Sequence, residues 1–286
     1  MIGVDIGGTN LLVGLVEGSE VVERLHTPVS SECNFEVVVK QVCSQVRALA
    51  PGTLDRVGIA VAGSVDCKTG IVHRAQNLNW DSVPLGPRIA DELGCDVLIE
   101  NDVTAAAWGE FRFGAGVDVD SMFAVWIGTG IGGGLILDHQ IWRGPLGTAG
   151  EFGMSISSPE DSAAPFRHLE AVASRSGMQR LLQMPELTTE MLAKGFGTDK
   201  TITLAIEESA RRVGTGIANV VTLLSLDCVV LGGGLVEALG SRYTDEIHAQ
   251  CLSDVFPAHC KQCTLQVTKL GPDAGLLGAA SLASQS

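Results

Sequence analysis

The stretch VLIENDVTAAAWGEFRF, Val97 to Phe113, decides the fold class. Val97-Leu98-Ile99 is a short apolar run of the kind buried in a parallel strand. Glu100-Asn101-Asp102 ends it, and Val103 to Phe113, with Ala105, Ala106, Ala107, Trp108 and Glu110, has the composition of a helix. Two polar side chains, Asn101 and Asp102, therefore stand where a strand hands over to a helix. Ligands of open α/β sheets bind beyond the carboxyl ends of strands. Asp102 can serve there as a helix cap or as a functional acid, and the stretch taken alone leaves both readings open.

On its N-terminal side, residues 1–27 read as three strands: Ile2-Gly3-Val4-Asp5-Ile6, Leu11 to Val16 and Val21 to Leu25. The turns between them are Gly7-Gly8-Thr9-Asn10 and Glu17-Gly18-Ser19-Glu20. Asp5 is an acid inside an apolar strand, where an unpaired carboxylate is costly. It is expected to meet a metal, water or donor at the strand's end, or nearby backbone N–H groups. Asn34 to Ala50 is an amphipathic helix with Phe35, Val38, Val39, Val42, Val46 and Leu49 on one side. Arg56 to Ala62 is the next buried strand and Gly70 to Arg74 a short edge strand. Asn77-Leu78-Asn79-Trp80 reads as a polar loop with one exposed-type aromatic, a composition suited to holding a sugar; Leu85 to Leu93 is a helix.

After Gly114 the pattern restarts. VDIGGTNLLVGLVEGSEVV (Val4–Val22) and VWIGTGIGGGLILDHQIW (Val125–Trp142) share strand, glycine turn, strand, acidic turn, strand. In the second copy the strands are Met122 to Ile127, Gly134 to Leu137 and Ile141-Trp142-Arg143, and the glycine turn runs from Gly128 to Gly133. Cys228 to Gly234 echoes Val57 to Gly63, so the chain is an internal duplication of two similar domains. Gly128-x-Gly130-x-x-Gly133 formally matches a dinucleotide fingerprint, but that motif requires a following helix and Gly134-Leu135-Ile136-Leu137 is strand-like. A glycine hairpin of this kind presents backbone N–H groups to phosphate instead. Helices are expected over Arg167 to Gln183, Pro185 to Lys194, Thr198 to Leu224, Leu235 to Cys251 and Asp273 to Ala283, with a last strand at Cys263 to Val267. The helix after Gly232-Gly233-Gly234 can turn its N-terminus to a ligand.

The 286 residues suffice for two substantial cores, and 45% hydrophobic content with a mean hydropathy of +0.27 argues against disorder. A net charge of −14 without a basic cluster argues against a nucleic-acid surface. No apolar run reaches membrane-spanning length, and no signal peptide precedes the first strand, so a cytoplasmic protein with no membrane partner is expected. The 8 scattered cysteines are expected as free thiols. One CxxC, Cys260 to Cys263, without a second pair, is weak evidence for zinc.

Taken together, the motifs resemble the ROK family of sugar kinases, repressors and related proteins, of the actin-like ATPase superfamily. The matching pieces are Asp5 to Asn10, Glu100 to Val103, Ile127 to Gly134, Gly144 to Gly153 (GPLGTAGEFG), Leu169 to Ser174, Gly232 to Gly234 and Ala274 to Ala280, in family order over nearly the whole chain. The resemblance implies an α/β fold of two ribonuclease-H-like domains with a ligand cleft between them. It sets the N-terminal domain at 1–112, completed by a C-terminal helix at about 273–286, and the C-terminal domain at 113–272. It implies an ATP-dependent sugar kinase that phosphorylates a hexose hydroxyl, most simply the 6-hydroxyl of glucose. Another sugar, or a non-catalytic sugar-binding role, is the alternative. Family repressors carry a DNA-binding segment before the first strand, and with Ile2 already in that strand no such segment is expected.

The site residues carried over are Asp102 as catalytic base, and Asn79, Asn101, Asp102, Glu151 and Glu170 as sugar contacts. Gly8, Thr9, Asn10, Gly128, Thr129 and Gly130 match phosphate-binding positions, Gly232, Gly233 and Gly234 the adenosine side, and Asp5 the acid that approaches Mg²⁺ through water. The partners are then ATP and a small sugar, and similar proteins are commonly homodimers. One segment departs from the family. Many members have Gly-Glu-Ile-Gly-His, a cysteine-rich zinc loop and Cys-Leu-Glu; here Met154 replaces the histidine, His168 replaces the last cysteine, and Ser155 to Arg167 holds no cysteine. No zinc is expected.

Overall fold

The computed structural model describes residues 1–29, 34–157 and 167–284. Cys33 and the middle of the Ser155–Arg167 segment, with Pro159 and Pro165, lie outside the described residues. The chain divides into two compact units: Met1–Val117 with Ile141–Ala149 and Pro272–Ser286, and Asp118–Gln140 with Gly150–Gly271. The return of Ile141–Ala149 to the first unit has no counterpart in the sequence reading.

In the first unit the strands are β1 (Ile2–Ile6), β2 (Asn10–Glu17), β3 (Glu20–Pro28), β4 (Arg56–Val61), the short β5 (Ser64–Asp66), β6 (Ile71–Ala75) and β7 (Trp80–Val83), and β8 (Asp96–Asn101). The helices are α1 (Phe35–Leu49), α2 (Leu85–Leu93) and α3 (Asp102–Phe113). The main sheet has the order β3-β2-β1-β4-β8, with β2 antiparallel to β1, and β1, β4 and β8 parallel. Ile2, Val4 and Ile6 of β1 join Val38, Val39, Val42 and Val46 of α1 in one buried cluster. Asn34 caps α1 by accepting from the Glu36 N–H at 3.0 Å.

Two local expectations fail here. β6 is the middle strand of a separate sheet, β5-β6-β7, rather than an edge. Trp80 is buried, 4% exposed, because its ring meets Phe35 edge-on at 5.5 Å.

The second unit holds β9 (Met122–Ile127), β10 (Ile131–Leu137), β11 (Gln140–Ile141), α4 (Leu169–Ala173), α5 (Arg175–Leu181), α6 (Thr189–Gly195), α7 (Lys200–Leu224), β12 (Cys228–Gly232), α8 (Gly234–Asp254) and β13 (Thr264–Val267). Its sheet order is β11-β10-β9-β12-β13, with β10 antiparallel and β12 parallel to β9, which repeats the first unit's topology. The glycine turn is shorter than expected, because Ile131, Gly132 and Gly133 already pair with Ile127, Trp126 and Val125. The expected helix from Arg167 to Gln183 is broken at Ser174, which is extended (φ −82, ψ 166) and spends its hydroxyl capping Gly177 N–H. The helix expected from Pro185 begins only at Thr189, where Thr188 caps it. α8 is kinked at Gly240 (φ 66), a left-handed conformation open to glycine. The strand expected through Arg143 stops at Ile141.

The last helix, α9 (Ala274–Ala283), belongs to the first unit. It lies on the face of β1 and β4 that carries Gly3 and Gly58, and against Ala105 and Gly109 of α3. A Cβ on Gly278 would overlap the Ala105 carbonyl oxygen, and one on Gly58 the carbonyl of Ala279. Side chains this small let two helices and a sheet approach at backbone distance. Gly278→Ala is expected to lower the urea midpoint by at least the equivalent of about 1–3 kcal/mol, the usual cost of overpacking. An unchanged midpoint would show that α9 can shift without loss.

Candidate active site

Asp5 is the fourth residue of β1, and strand alternation turns it to the side of Gly3, toward α9. Gly275, in the first turn of α9, comes so close that a Cβ there would sit 2.9 Å from Asp5 Oδ2. Burial, and secondly the charge of Asp102, push the Asp5 carboxyl up to about 7. Burial pushes Asp102 up as well, opposed by hydrogen bonds from Val103 N–H and Asn101. The ends of β1 and β8 thus bring two carboxylates together, although neither strand's pattern pairs them.

Asn101 is the N-cap of α3 (φ −60, ψ 143), and its Oδ1 accepts from Thr104 N–H at 3.0 Å. Asn101 Nδ2 donates to Gly63 O at 3.0 Å and to Asp102 Oδ1 at 2.9 Å, and Val103 N–H donates to the same Oδ1 at 2.9 Å. Both of these bonds use Oδ1. Asn79 follows the short 3₁₀ turn Gln76–Leu78 in a left-handed conformation (φ 53, ψ 36), which asparagine tolerates. The Gly7–Asn10 turn is closed by Gly7 N–H to Asn10 O at 2.9 Å. Gly8 is required there, because a Cβ would meet Asn77 at 2.7 Å; Thr9 and Asn10 are exposed, and Asn10 Oδ1 is bound by His26 Nε2 at 2.8 Å.

In the second unit the corresponding turn, Gly128-Thr129-Gly130, is closed by Gly128 N–H to Gly130 O at 2.9 Å. Glu170, in the first turn of α4, accepts Ile131 N–H on Oε2 at 2.8 Å, and its carboxylate fills the place a Cβ on Gly130 would take. Arg175 N–H donates to Gly128 O at 2.9 Å and its guanidinium to Thr129 Oγ1 at 2.9 Å. Sequence reasoning missed this arginine: it lies 46 residues from Thr129, and only the break at Ser174 aims it at the turn. Gly233 caps α8 with φ 95 and no side chain, and Gly232 packs where a Cβ would meet the Trp126 ring at 2.6 Å. Gly234 opens the helix with nothing near its Cβ position. Glu151 is exposed and its carbonyl accepts Met154 N–H at 3.1 Å. His168 Nδ1 lies 2.7 Å from the Met154 carbonyl, and the strand-like bridge Ile156–His168 closes the same loop.

Glu100 and Arg143 are the other residues the sequence did not single out. Glu100 is 2% exposed, and Arg143 Nε donates to its Oε2 at 2.7 Å. Among the described residues the cysteines are free thiols, and no three His, Cys, Asp or Glu side chains gather as a metal site. No helix among the described residues is long and apolar enough to cross a membrane.

Known proteins share this architecture over their whole length. The glucokinase of Streptomyces coelicolor is 32% identical over 310 aligned residues, covering 99% of this chain and 97% of that one. The structure of a ROK family glucokinase from Streptomyces griseus, in complex with glucose and AMPPNP, has a TM-score of 0.85 at 30% identity, covering 100% of this chain and 99% of that one. The ROK hexokinase from Thermus thermophilus has a TM-score of 0.85 at 26% identity, over 99% and 97% of the two chains. The fold is therefore that of the actin-like ATPases, two α/β units of mixed sheets. The ROK family model matches residues 1–286, and the chain belongs to the ROK family.

Proposed function

We propose that this protein is an ATP-dependent sugar kinase that transfers the γ-phosphate to a hexose hydroxyl, the 6-hydroxyl of glucose. The observation that carries the reading is Asp102 at the end of β8, relieved of capping by Asn101, in a chain similar to glucokinases over its full length. A sugar hydroxyl is a poor nucleophile. Asp102 Oδ2 accepts its proton as the oxygen attacks phosphorus, while Asn101 Nδ2 and Val103 N–H hold Oδ1. Burial, which raises the proton affinity of Asp102, favours that role.

The sugar hydroxyls are bound by Asn79, Asn101, Glu151 and Glu170. Glu170 has already spent Oε2 on Ile131, so Oε1 is the oxygen it offers. Backbone N–H groups of Gly8, Thr9 and Asn10, and of Thr129 and Gly130 in the turn that Gly128 N–H closes, cradle the phosphates. Arg175 adds the positive charge that the composition did not reveal. Gly232 to Gly234 take the adenosine side, where the glycine cap of α8 leaves the helix start open. Asp5 offers hard oxygen atoms beside a second carboxylate, a donor set that fits Mg²⁺ held through water. When bound, the ion neutralises phosphate charge during transfer.

A panel of glucose, fructose and N-acetylated amino sugars with ATP, read by ADP release, tests the reading; glucose is expected to give the highest kcat/KM. Asp102→Asn is expected to lower kcat by ~10²–10⁴ while ATP and glucose still bind. A variant that keeps a tenth of wild-type kcat would remove Asp102 from the mechanism.

The raised Asp5 carboxyl has a consequence for stability. Its folded value, about 7, exceeds the ordinary 3.8, so between these pH values the folded state binds more protons than the unfolded state. The contribution of Asp5 is therefore present at low pH and is lost as pH rises toward about 7. In a chelator-containing buffer, the wild-type urea midpoint relative to that of Asp5→Asn is expected to fall across this window. A difference that rises with pH would reverse the assignment.

A tetrahedral zinc site wants four Cys or His ligands, and the Met154–His168 loop offers a thioether and a single imidazole. Protein purified without added metal is expected to carry no stoichiometric zinc by elemental analysis. Zinc bound near His168 would mean that the loop recruits other ligands.

A further inference from the structure

Glu100 is a buried carboxylate with no part in the chemistry proposed above, and its two oxygens are fully used. Arg143 Nε and Nη2 both converge on Oε2, at 2.7 and 2.5 Å. Asn101 N–H and the Cys67 thiol donate to Oε1, at 3.0 and 3.3 Å. Taking a carboxylate out of water without a cation is strongly destabilising, and Arg143 is the cation that meets Glu100 there. Arg143 comes from Ile141–Ala149, the segment that returns to the first unit from between stretches of the second. That segment is itself folded tightly: Ala149 N–H bonds the Arg143 carbonyl at 3.1 Å, and Gly144 and Gly147 have φ of 68 and 72.

We infer that Arg143 is a positioning residue for Asp102, acting through Glu100 and Asn101; the inference rests on the kinase reading for the role of Asp102. The route is a short run of bonds. Arg143 fixes Glu100 Oε2, Glu100 Oε1 fixes the Asn101 amide, and Asn101 fixes both the first turn of α3 and Asp102 Oδ1. If Glu100 turns away, the peptide that carries Asn101 loses its acceptor, and the side chain that orients Asp102 turns with it. Among the described residues, the side-chain bonds of Arg143 go to Glu100 and not to Asp102 or the phosphate turns. Its effect therefore falls on the rate of proton removal and, through Asn101, on the sugar, but not on ATP binding.

The test compares wild type, Arg143→Gln and Arg143→Lys. In Arg143→Gln, kcat is expected to fall roughly 10- to 100-fold, the scale of a misplaced catalytic group, while KM for ATP stays within about threefold. Hydrogen exchange at Val103 and Thr104, whose amides Asp102 and Asn101 hold, is expected to rise about tenfold or more over that of the rest of the unit. Because both guanidinium nitrogens converge on one oxygen, a point charge can replace them, and Arg143→Lys is expected to recover both readouts in large part. If Arg143→Gln does not fold, the double variant Glu100→Gln/Arg143→Gln leaves no buried charge and is expected to show the same kcat loss. An unchanged kcat, a raised KM for ATP at unchanged kcat, or exchange raised evenly through the unit would each overturn the inference. The exchange readout needs no turnover. A wild-type protein that phosphorylates no sugar would refute the kinase reading, while exchange at Val103 and Thr104 would still decide whether Arg143 holds this turn.

Discussion

The first turn of an α-helix leaves amide groups that its own backbone cannot satisfy, and at α3 it is Asn101 that meets this need. Had Asp102 been the cap, its carboxylate would have been folded back over the helix start. One residue of offset puts the amide side chain on Thr104 and leaves a carboxylate at the first helical position, with Oδ1 held by Asn101 and Val103. The helix dipole favours the ionised form of an acid placed there, while burial opposes it. The balance between these effects sets the basicity of Asp102. Strand, cap and acid are therefore one device, and Glu100 extends it back into β8 through the Asn101 amide.

The two sheets have the same order and sense, yet the units use their turns differently. In the first, the turn after β1 is held by its own closing bond, by Val29 N–H to Thr9 O at 2.8 Å and by Asn10 with His26. In the second, Glu170, Arg175 and Ser176 all bond the turn after β9. That bracing comes from α4 and α5, which have no counterpart between β3 and β4. The interruption of the helix at Ser174 makes it possible: an unbroken helix would carry Arg175 away from Thr129. The C-terminal helix adds a second asymmetry. α9 follows the last strand of the second unit as α3 follows β8, but it packs on the first unit and brings Gly275 against Asp5.

The duplication, the strand–turn–strand units and the handover at Asn101-Asp102 were legible because each has a local signature: a period-two apolar run, a glycine turn, an alanine-rich helix start. What was not legible depends on partners distant in sequence. Trp80 reads as an exposed aromatic in a polar loop until Phe35, from α1, is seen to cover it. Ile141-Trp142-Arg143 continues the strand pattern of its repeat, but a buried Glu100 forty-three residues earlier draws Arg143 out of the sheet. Arg175 could have been suspected only from Ser174, a residue that both ends one helix and caps the next. Alternation of side chains showed Asp5 to be unusual, but not that its neighbour would be another acid.

The loop between Glu151 and Glu170 joins two of the acids proposed to bind sugar. Its described ends are joined by His168 to the Met154 carbonyl, by Leu169 N–H to Ser155 O at 3.0 Å and by Ser157 N–H to Arg167 O at 2.8 Å. Hydrogen bonds of this kind contribute about 1 kcal/mol each. What the neighbours of the two acids bury adds to them. Phe152, next to Glu151, is 6% exposed and meets Phe123 of β9 edge-on at 5.1 Å. Gly153 lies so close that a Cβ would overlap the Ile131 carbonyl, and Leu169, next to Glu170, is 1% exposed. Each acid thus sits one residue from a fully packed apolar anchor on the same sheet. The core of the second unit thereby holds Phe152 and Leu169, the described residues next to the two acids.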